Sequence, residues 1–222
     1  MTITLNITFN EHCVSALNDA PAGSRALYVF AHGAGAGMSH PSMAAIAEGL
    51  NARGIATLRY QFPYMENRTK RPDPPKVAHA AVRAACAEAR RLAPGVPLIA
   101  GGKSFGGRMT SQALALSPLE GVIGLAFIGF PLHPAGKPSD ERAHHLDDVR
   151  VPMLFLQGAR DELASLDLLN PVVARLGARA TLHLIEGADH SFHVRASSGR
   201  KDADVREDLL DAFAEWVERL LD

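Results

Sequence analysis

Short apolar blocks alternate along this chain with longer stretches in which apolar residues recur every three or four positions. The first ten residues alternate between polar and apolar side chains, as a half-buried strand does. The apolar blocks, which predict strands covered on both faces, occupy residues 26–31, 55–60, 97–101, 122–128, 151–156 and 180–185. The amphipathic stretches, which predict helices, occupy residues 41–53, 76–92, 105–116 and 202–221. This order predicts an α/β fold with a doubly wound, mostly parallel sheet and right-handed crossovers.

Two segments interrupt the alternation, residues 61–75 and 130–150. Both are rich in proline and charged residues, and both are predicted as loops that shape the mouth of a pocket. Neither is long enough to form a second domain. A chain of 222 residues with 47% hydrophobic residues is large enough to bury one core. We therefore expect a single domain over residues 1–222.

The composition narrows the function classes more than it narrows the fold. The 23 basic and 24 acidic residues nearly cancel, so no overall charge attracts nucleic acid or an anionic membrane surface. Cys13 and Cys86 lack the spacing of a metal site, and so few cysteines are typical of a reducing compartment. The first residues lack the pattern of a secretory signal, and no segment approaches the ~20 apolar residues of a membrane-spanning helix. We expect a soluble, cytoplasmic protein.

Ser104 lies in the most informative motif of the chain. Residues 102–106, Gly-Lys-Ser-Phe-Gly, follow a predicted strand and precede a predicted helix. A strand that turns abruptly into a helix strains the residue at the bend, and Gly102, Gly106 and Gly107 are the small neighbours that such a turn requires. The bend presents the Ser104 hydroxyl at the carboxyl edge of the sheet, beside the positive end of the helix dipole. This context predicts a serine nucleophile, which needs a base within hydrogen-bond reach.

Asp161 and His190 each follow a later predicted strand. Asp161 lies in a Gly-Ala-Arg-Asp loop after residues 151–156, and His190 lies in a Gly-Ala-Asp-His loop after residues 180–185. Because the carboxyl ends of parallel strands share one edge of the sheet, a nucleophile, an acid and a base meet there in the chain order Ser, Asp, His. We predict that His190 takes the proton of Ser104 and that Asp161 orients the imidazole.

Other assignments remain open for these two loops. Glu162 is adjacent to Asp161 and competes for the role of the acid. Asp189 is a third candidate, but it would have to fold back sharply to reach the distal ring nitrogen of His190. Asp161 also has a purely structural interpretation as the cap of a helix that begins near Ala164, and His190 has one as a hydrogen-bonded loop histidine.

Four segments carry a resemblance to a known superfamily. They are residues 32–37 (HGAGAG), 59–64 (RYQFPY), 101–108 (GGKSFGGR) and 187–192 (GADHSF). With the order of strands, they resemble the α/β-hydrolase superfamily over almost the whole chain, and more narrowly a branch that contains a chromatin NSL-complex subunit and a testis-expressed protein. The chain also resembles dienelactone hydrolases, except that Ser104 stands where those enzymes carry cysteine. The resemblance implies an α/β-hydrolase fold without a separate lid domain.

The resemblance also implies an activity, the cleavage of small carboxylic esters or thioesters through an acyl-enzyme intermediate. Backbone amides of Phe105 and Ala34 are expected to hold the oxyanion. Gly33 and Gly35 are alternatives to Ala34, because the Gly-Ala-Gly-Ala-Gly loop leaves the register open. No metal or organic cofactor is expected, and the expected partner is a small-molecule acyl substrate.

Side chains near these loops suggest how a substrate is held. Phe62, Tyr64 and Phe130 are expected to line an apolar acyl wall. Lys103, next to the nucleophile, is expected to bind substrate and suggests that the substrate carries a carboxylate or phosphate. Three further basic residues near the predicted mouth support the same hypothesis: Arg59, Lys70 and Arg108. The alternative is that these basic side chains are solvated or paired within the protein.

Nucleotide-binding interpretations fail on spacing. A P-loop that ends at Ser104 requires glycine at position 97, where the chain has Pro97. The third glycine of a dinucleotide fingerprint that starts at Gly33 falls on Met38. Arg59, near the end of a predicted strand, keeps an NADP-binding alternative open. Four further histidines are candidates for metal ligands: His144, His145, His183 and His193. Their spacing does not match a known metal-binding motif, so we expect no metal site.

The main rival to an enzyme is a non-catalytic interaction module, because the resembling branch includes a subunit of a large assembly. The complete set of Ser104, Asp161 and His190 argues against that rival. We expect neither a nucleic acid nor a membrane as a partner, and the sequence leaves the oligomeric state open.

Overall fold

The computed structural model describes residues 2–222, which form one eight-stranded sheet flanked by helices. The strands are β1 (Thr2–Phe9), β2 (His12–Asp19), β3 (Ala26–Ala31), β4 (Ile55–Tyr60), β5 (Leu98–Lys103), β6 (Val122–Ile128), β7 (Met153–Gly158) and β8 (Ala180–Ile185). The helices are α1 (Pro41–Ala52), α2 (Pro63–Glu66), α3 (Pro75–Leu92), α4 (Phe105–Leu116), α5 (Leu166–Leu176) and α6 (Asp202–Leu221). Short 3₁₀ helices cover Glu141–Asp148, Gly177–Arg179 and Ala196–Ser198. The predicted α/β class is confirmed.

The strand order in the sheet is β1-β2-β4-β3-β5-β6-β7-β8. β2 pairs antiparallel with β1 and β4, and the other neighbouring strands pair parallel. Because β4 lies on one side of β3 and β5 on the other, the loops after β3 and β5 diverge and leave a crevice at the carboxyl edge of the sheet. Residues 32–37 and Ser104 follow these two strands, so both candidate segments lie at the crevice.

Helices cover both faces of the sheet. On one face α1 and α6 bury Leu50 and Phe213, and the Phe213 ring meets the Tyr28 ring with centroids 4.8 Å apart. On the other face α3, α4 and α5 bury a second cluster that includes Met109 and Val172. Burial of one side chain of this size contributes about 1.5–3 kcal/mol. Cover on both faces explains why the central strands are continuous apolar blocks in the sequence.

One strand and two helices lie outside the predicted elements. In β2 the buried residues Val14 and Ala16 alternate with less buried ones, but this alternation is too short to predict a strand. Hydrogen bonding to β1 and β4 on its two sides stabilises the strand. α5 contains Pro171, a helix-breaking signal that burial of Leu169 and Val172 outweighs.

The segments predicted as loops are also partly helical. Residues 61–75 contain the short helix α2, and residues 130–150 contain the 3₁₀ helix Glu141–Asp148. Among residues 2–222, no helix combines the length and the apolar character that crossing a bilayer requires.

Candidate active site

Ser104 occupies a strained turn between β5 and α4. Its φ and ψ angles are 49° and −114°, and a positive φ costs a non-glycine residue about 1–3 kcal/mol. The turn is packed tightly against the end of β3. A Cβ atom on Gly106 would lie 2.6 Å from the carbonyl oxygens of Ala31 and His32, and one on Gly102 would lie 2.3 Å from the Ala31 oxygen. The two glycines therefore allow the close approach that holds the serine at the bend.

Ser104, His190 and Asp161 form a continuous hydrogen-bonded chain. The Ser104 Oγ lies 2.9 Å from His190 Nε2, and His190 Nδ1 lies 2.7 Å from Asp161 Oδ2. Because an ionised carboxylate only accepts hydrogen bonds, Nδ1 carries the ring proton and the neutral ring presents the Nε2 lone pair to the serine hydroxyl. The Asp161 side chain is fully buried, whereas the His190 side chain is 23% exposed. This is the geometry of an alcohol paired with a base and an orienting acid.

Gln157 and a backbone amide fix the carboxylate of Asp161. The Leu163 amide donates to Oδ1 over 2.8 Å, and the Gln157 side-chain amide donates to Oδ2, the same oxygen that faces His190. The Gln157 oxygen accepts from the Phe130 amide over 2.9 Å. Gln157 is fully buried, and the sequence analysis does not predict its role. The signal that could have identified it is a lone polar residue in an apolar strand.

The competing acids have other surroundings. Glu162 is exposed, and within residues 2–222 its carboxylate accepts no hydrogen bond. Asp189 accepts from the backbone amides of Ser191 and His193, and these bonds stabilise the turn that carries His190. The structure therefore brings Asp161, rather than its neighbours, to the imidazole.

The Lys103 side chain contacts the loop that carries His190 and does not line the cavity beside Ser104. Its Nζ donates to the backbone carbonyl of His190 over 2.8 Å and lies 4.9 Å from the centroid of the Phe192 ring. Burial lowers the pKa of Lys103 to about 8, while the charges of Asp161 and Asp189 act in the opposite direction. The ammonium anchors the loop that carries the base.

His32 shapes the loop after β3. The residue is fully buried, and burial lowers its pKa to about 4, against a smaller opposing effect of its bond to Gly33. The neutral ring donates from Nδ1 to the Gly33 carbonyl over 2.8 Å and accepts the Phe62 amide at Nε2 over 3.0 Å. Because C=O and N–H point in opposite directions across a trans peptide, the Ala34 amide is directed away from His32.

Ala34 and Phe105 line the same cavity as Ser104. The amide of Gly35, an alternative to Ala34, donates to the hydroxyl of Tyr64 over 3.4 Å. The Ala34 and Phe105 amides have no protein acceptor among the hydrogen bonds of residues 2–222. The Gly33 amide also bonds no acceptor there, but Gly33 does not line the cavity, so Ala34 and Phe105 are the candidate donors to an oxyanion.

The cavity beside Ser104 has a volume of about 490 Å³ and a largely apolar lining. Its walls are formed by Ala34, Pro72, Asp73, Pro75, Ser104, Phe105, Arg108, Met109, Pro131, His133, Pro134, Ala135, Arg142 and Leu163. The volume suits a small organic substrate.

The aromatic residues predicted as an acyl wall do not line this cavity. Phe62 and Phe130 are fully buried and Tyr64 is 3% exposed. Phe62 packs edge-on against Phe105, and Phe130 packs against Phe127. All three side chains belong to the hydrophobic cluster between the sheet and α3, α4 and α5, so their apolar character marks burial and not contact with this cavity.

Arg108 lines the cavity, whereas the other basic and histidine candidates do not. Arg59 forms a buried ion pair with Asp19 over 2.8 Å, and Lys70 is exposed. The histidines outside the site bond individual side chains: His144 with Asp140, His145 with Ser111, His183 with Asp208 and His193 with Asp202. In the described part of the chain no three metal-ligating side chains cluster.

The fold and this arrangement of side chains define the class of the protein. The family described as alpha/beta hydrolase domain matches residues 24–218, and the chain belongs to that family. Its resemblance to the α/β-hydrolase superfamily is thereby confirmed, while the narrower branch stays a prediction.

Solved structures of similar fold come from several bacteria. A dienelactone hydrolase from Anabaena variabilis ATCC 29413 has a TM-score of 0.79 and 21% identity, over 99% of this chain and 97% of that one. A Xanthomonas campestris protein described as an α/β serine hydrolase without lid has a TM-score of 0.77 and 23% identity, over 97% and 94%. The esterase domain of a Rhodothermus marinus protein has a TM-score of 0.72 and 17% identity, over 99% and 98%. At these identities the likeness shows the fold.

Proposed function

We propose that this chain is a serine hydrolase that cleaves small carboxylic esters or thioesters through an acyl-enzyme intermediate. The observation that carries the proposal is the chain of contacts from Asp161 through His190 to Ser104, at 2.7 and 2.9 Å, on a turn that is strained to expose the serine. Nothing in a structural role for these residues requires both contacts and the strained turn at once.

The first half of the reaction transfers the acyl group to the enzyme. His190 Nε2 takes the hydroxyl proton as Ser104 Oγ attacks the carbonyl carbon, and the carbonyl oxygen becomes an oxyanion. The Phe105 and Ala34 amides donate to that oxyanion, and the N-terminal end of α4 adds a favourable dipole. The tetrahedral intermediate collapses, the bond to the alcohol or thiol breaks, and His190 returns the proton to the leaving group.

The second half returns the enzyme to its starting state. Water gives a proton to His190 and attacks the acyl carbon, and collapse of the second tetrahedral intermediate releases the acid and restores the Ser104 hydroxyl. Asp161 stabilises the imidazolium that forms in both halves and keeps the ring in the productive tautomer. The loss of one member of such a set costs several orders of magnitude in rate.

The open site supports small substrates. Between β6 and β7, where a lid domain would be inserted, this chain has residues 129–152 with one 3₁₀ helix. Bacterial structures of the same fold include proteins named as an esterase and as a dienelactone hydrolase. These names support ester cleavage, and the about 490 Å³ cavity favours short acyl groups over long lipid chains.

A fluorophosphonate probe tests the proposal, because it reacts with a serine that has been activated by a base. We expect labelling of the folded wild type and none of Ser104→Ala or His190→Ala. His193→Ala is the matched control, since this exposed histidine is three residues from the base and bonds Asp202 instead. Folded wild-type protein that takes no label would contradict the proposal and favour the interaction module.

A further inference from the structure

We propose that the cavity beside Ser104 binds an anionic group of the substrate through Arg108 and Arg142, so that the preferred substrates are esters or thioesters that carry a carboxylate or phosphate. The inference rests on the proposed hydrolase function and names its substrate class. Both arginines line the cavity that contains the serine hydroxyl.

Arg108 lies one helical turn after the nucleophile. Its backbone amide bonds the Ser104 carbonyl over 3.1 Å, and its guanidinium carbon lies 5.9 Å from the centroid of the Phe105 ring. Its Nε is buried without a hydrogen-bond partner. Among residues 2–222 its guanidinium bonds no acceptor and forms no ion pair, so a half-buried cation at the site has no counter-charge of its own.

Arg142 approaches the same cavity from the 3₁₀ helix Glu141–Asp148. It is half-buried, and within the described range its guanidinium also has neither a hydrogen bond nor a carboxylate within 4.0 Å. Two elements that are distant in sequence therefore bring unpaired guanidiniums to one cavity.

Other buried and half-buried arginines of the chain are paired. Arg53, Arg59, Arg200 and Arg206 approach carboxylates, and Arg83 and Arg179 donate to backbone carbonyls. Desolvating a guanidinium is costly unless it is paired, so this protein generally pairs them. Arg108 and Arg142 depart from that pattern together and at the candidate active site.

The electrostatics of the cavity favour an incoming anion. Burial, and to a smaller extent the charge of Arg142, lowers the pKa of Arg108 to about 10; burial also lowers the pKa of Arg142. An anion that bonds both guanidiniums would relieve their repulsion and replace part of their lost hydration. The planar donor fork of arginine matches the paired oxygens of a carboxylate or phosphate.

The remaining polar groups of the cavity are compatible with this ligand. Asp73, the one acidic residue among the lining residues, accepts the Tyr64 amide over 3.0 Å and pairs with neither arginine. His133 is 3% exposed; its Nδ1 donates to the Pro134 carbonyl over 2.9 Å and its Nε2 has no partner. With Nδ1 as the donor, Nε2 of the neutral ring is an acceptor, so it bonds a donor of the substrate and the anion is left to the two arginines.

Matched esters test the substrate class. One pair is 4-acetoxybenzoate and its methyl ester, with the charge on the leaving group; the other is mono-4-nitrophenyl adipate and its methyl ester, with the charge on the acyl group. We expect wild type to favour the charged member of at least one pair in kcat/KM. Arg108→Gln and Arg142→Gln should each lower that charged-to-neutral ratio about 10- to 100-fold, the effect of losing a hydrogen bond to a charged group. 4-Acetoxyphenyl phosphate distinguishes phosphate from carboxylate as the preferred anion.

Arg150→Gln is the matched control. Arg150 is exposed and precedes β7, so it lies at the amino edge of the sheet, opposite the site, while the substitution removes the same charge. It should leave the ratio unchanged. Melting temperatures of the variants show whether each is folded, and Arg142→Gln, on a peripheral helix, keeps the test decisive if Arg108→Gln does not fold.

A binding measurement separates failure of this inference from failure of the proposed function. 4-Acetoxybenzoate should raise the melting temperature of Ser104→Ala, and the rise should disappear when Arg108→Gln or Arg142→Gln is added. Suppose that the wild type hydrolyses neither ester, but 4-acetoxybenzoate raises the melting temperature of Ser104→Ala and an added arginine substitution abolishes the rise. The anion site is then supported and the hydrolase function is wrong. If neutral esters are hydrolysed and neither arginine variant changes the ratio, the anion site is wrong and the hydrolase function stands.

Discussion

Replacement of Gln157 by leucine tests the support of the proposed acid. The side chain is fully buried and bonds both the Asp161 carboxylate and the Phe130 amide. Leucine keeps the volume but removes the donor to a charged oxygen, which costs about 1.5–3 kcal/mol, and leaves a buried amide unpaired, which costs about 1–3 kcal/mol. We expect the free energy of unfolding to fall by about 3–5 kcal/mol in total.

The same substitution should slow catalysis beyond its effect on folding. With one support removed, the carboxylate and the imidazole lose their fixed geometry, and small misplacements of this kind cost about 10- to 100-fold in rate. The assays are urea unfolding and the rate of fluorophosphonate labelling at a temperature where the variant is folded. Gln112→Leu is the matched control, because Gln112 bonds His79 on the far side of α4 from Asp161. If Gln157→Leu labels at the wild-type rate, Gln157 does not position the acid.

Three further predictions follow from the site. Gly106→Ala should destabilise the fold by more than about 2 kcal/mol, because its Cβ would lie 2.6 Å from two backbone carbonyls, whereas Gly23→Ala, with open space around it, should cost only about 1 kcal/mol in urea unfolding. Lys103→Met should slow fluorophosphonate labelling about tenfold, since the His190 carbonyl loses its anchor, and exposed Lys137→Met should not; equal rates would refute the anchor. The free energy of unfolding should also decrease as the pH is lowered from about 6.5 to about 4. In this window the unfolded chain protonates at His32, whereas burial holds the pKa of the folded residue at about 4, so about 3 kcal/mol should be lost. Urea unfolding of His32→Asn should show a shallower dependence on pH.

The sequence predicted those features that local chemistry encodes. Apolar blocks marked the parallel strands because both faces of β3, β5 and β6 are covered, and glycines marked the turns that follow them. The position of Ser104 beside His190 follows from parallel topology, since the strands end at a common edge.

Features that depend on tertiary contacts could not be predicted in this way. An apolar aromatic residue signals burial and substrate contact equally well, which is why the sequence predicts Phe62 and Phe130 at the cavity although they lie in the core. The hydrogen bond from Gln157, in β7, to Asp161, in the loop that follows, forms only when the folded backbone brings the two side chains together. Lys103 looked like a substrate contact because it adjoins the serine, but alternation along β5 turns its side chain toward the histidine loop.

A trapped acyl-enzyme is the most direct test of the central claim, that Ser104 performs covalent catalysis. Wild-type protein mixed with 4-nitrophenyl acetate is quenched in acid during turnover, digested and analysed by peptide mass spectrometry. The account predicts an acetyl group on the peptide of residue 104, together with a burst of nitrophenol that is absent from Ser104→Ala. Sustained turnover by Ser104→Ala, or an acetyl group that is found only on other residues, would contradict it.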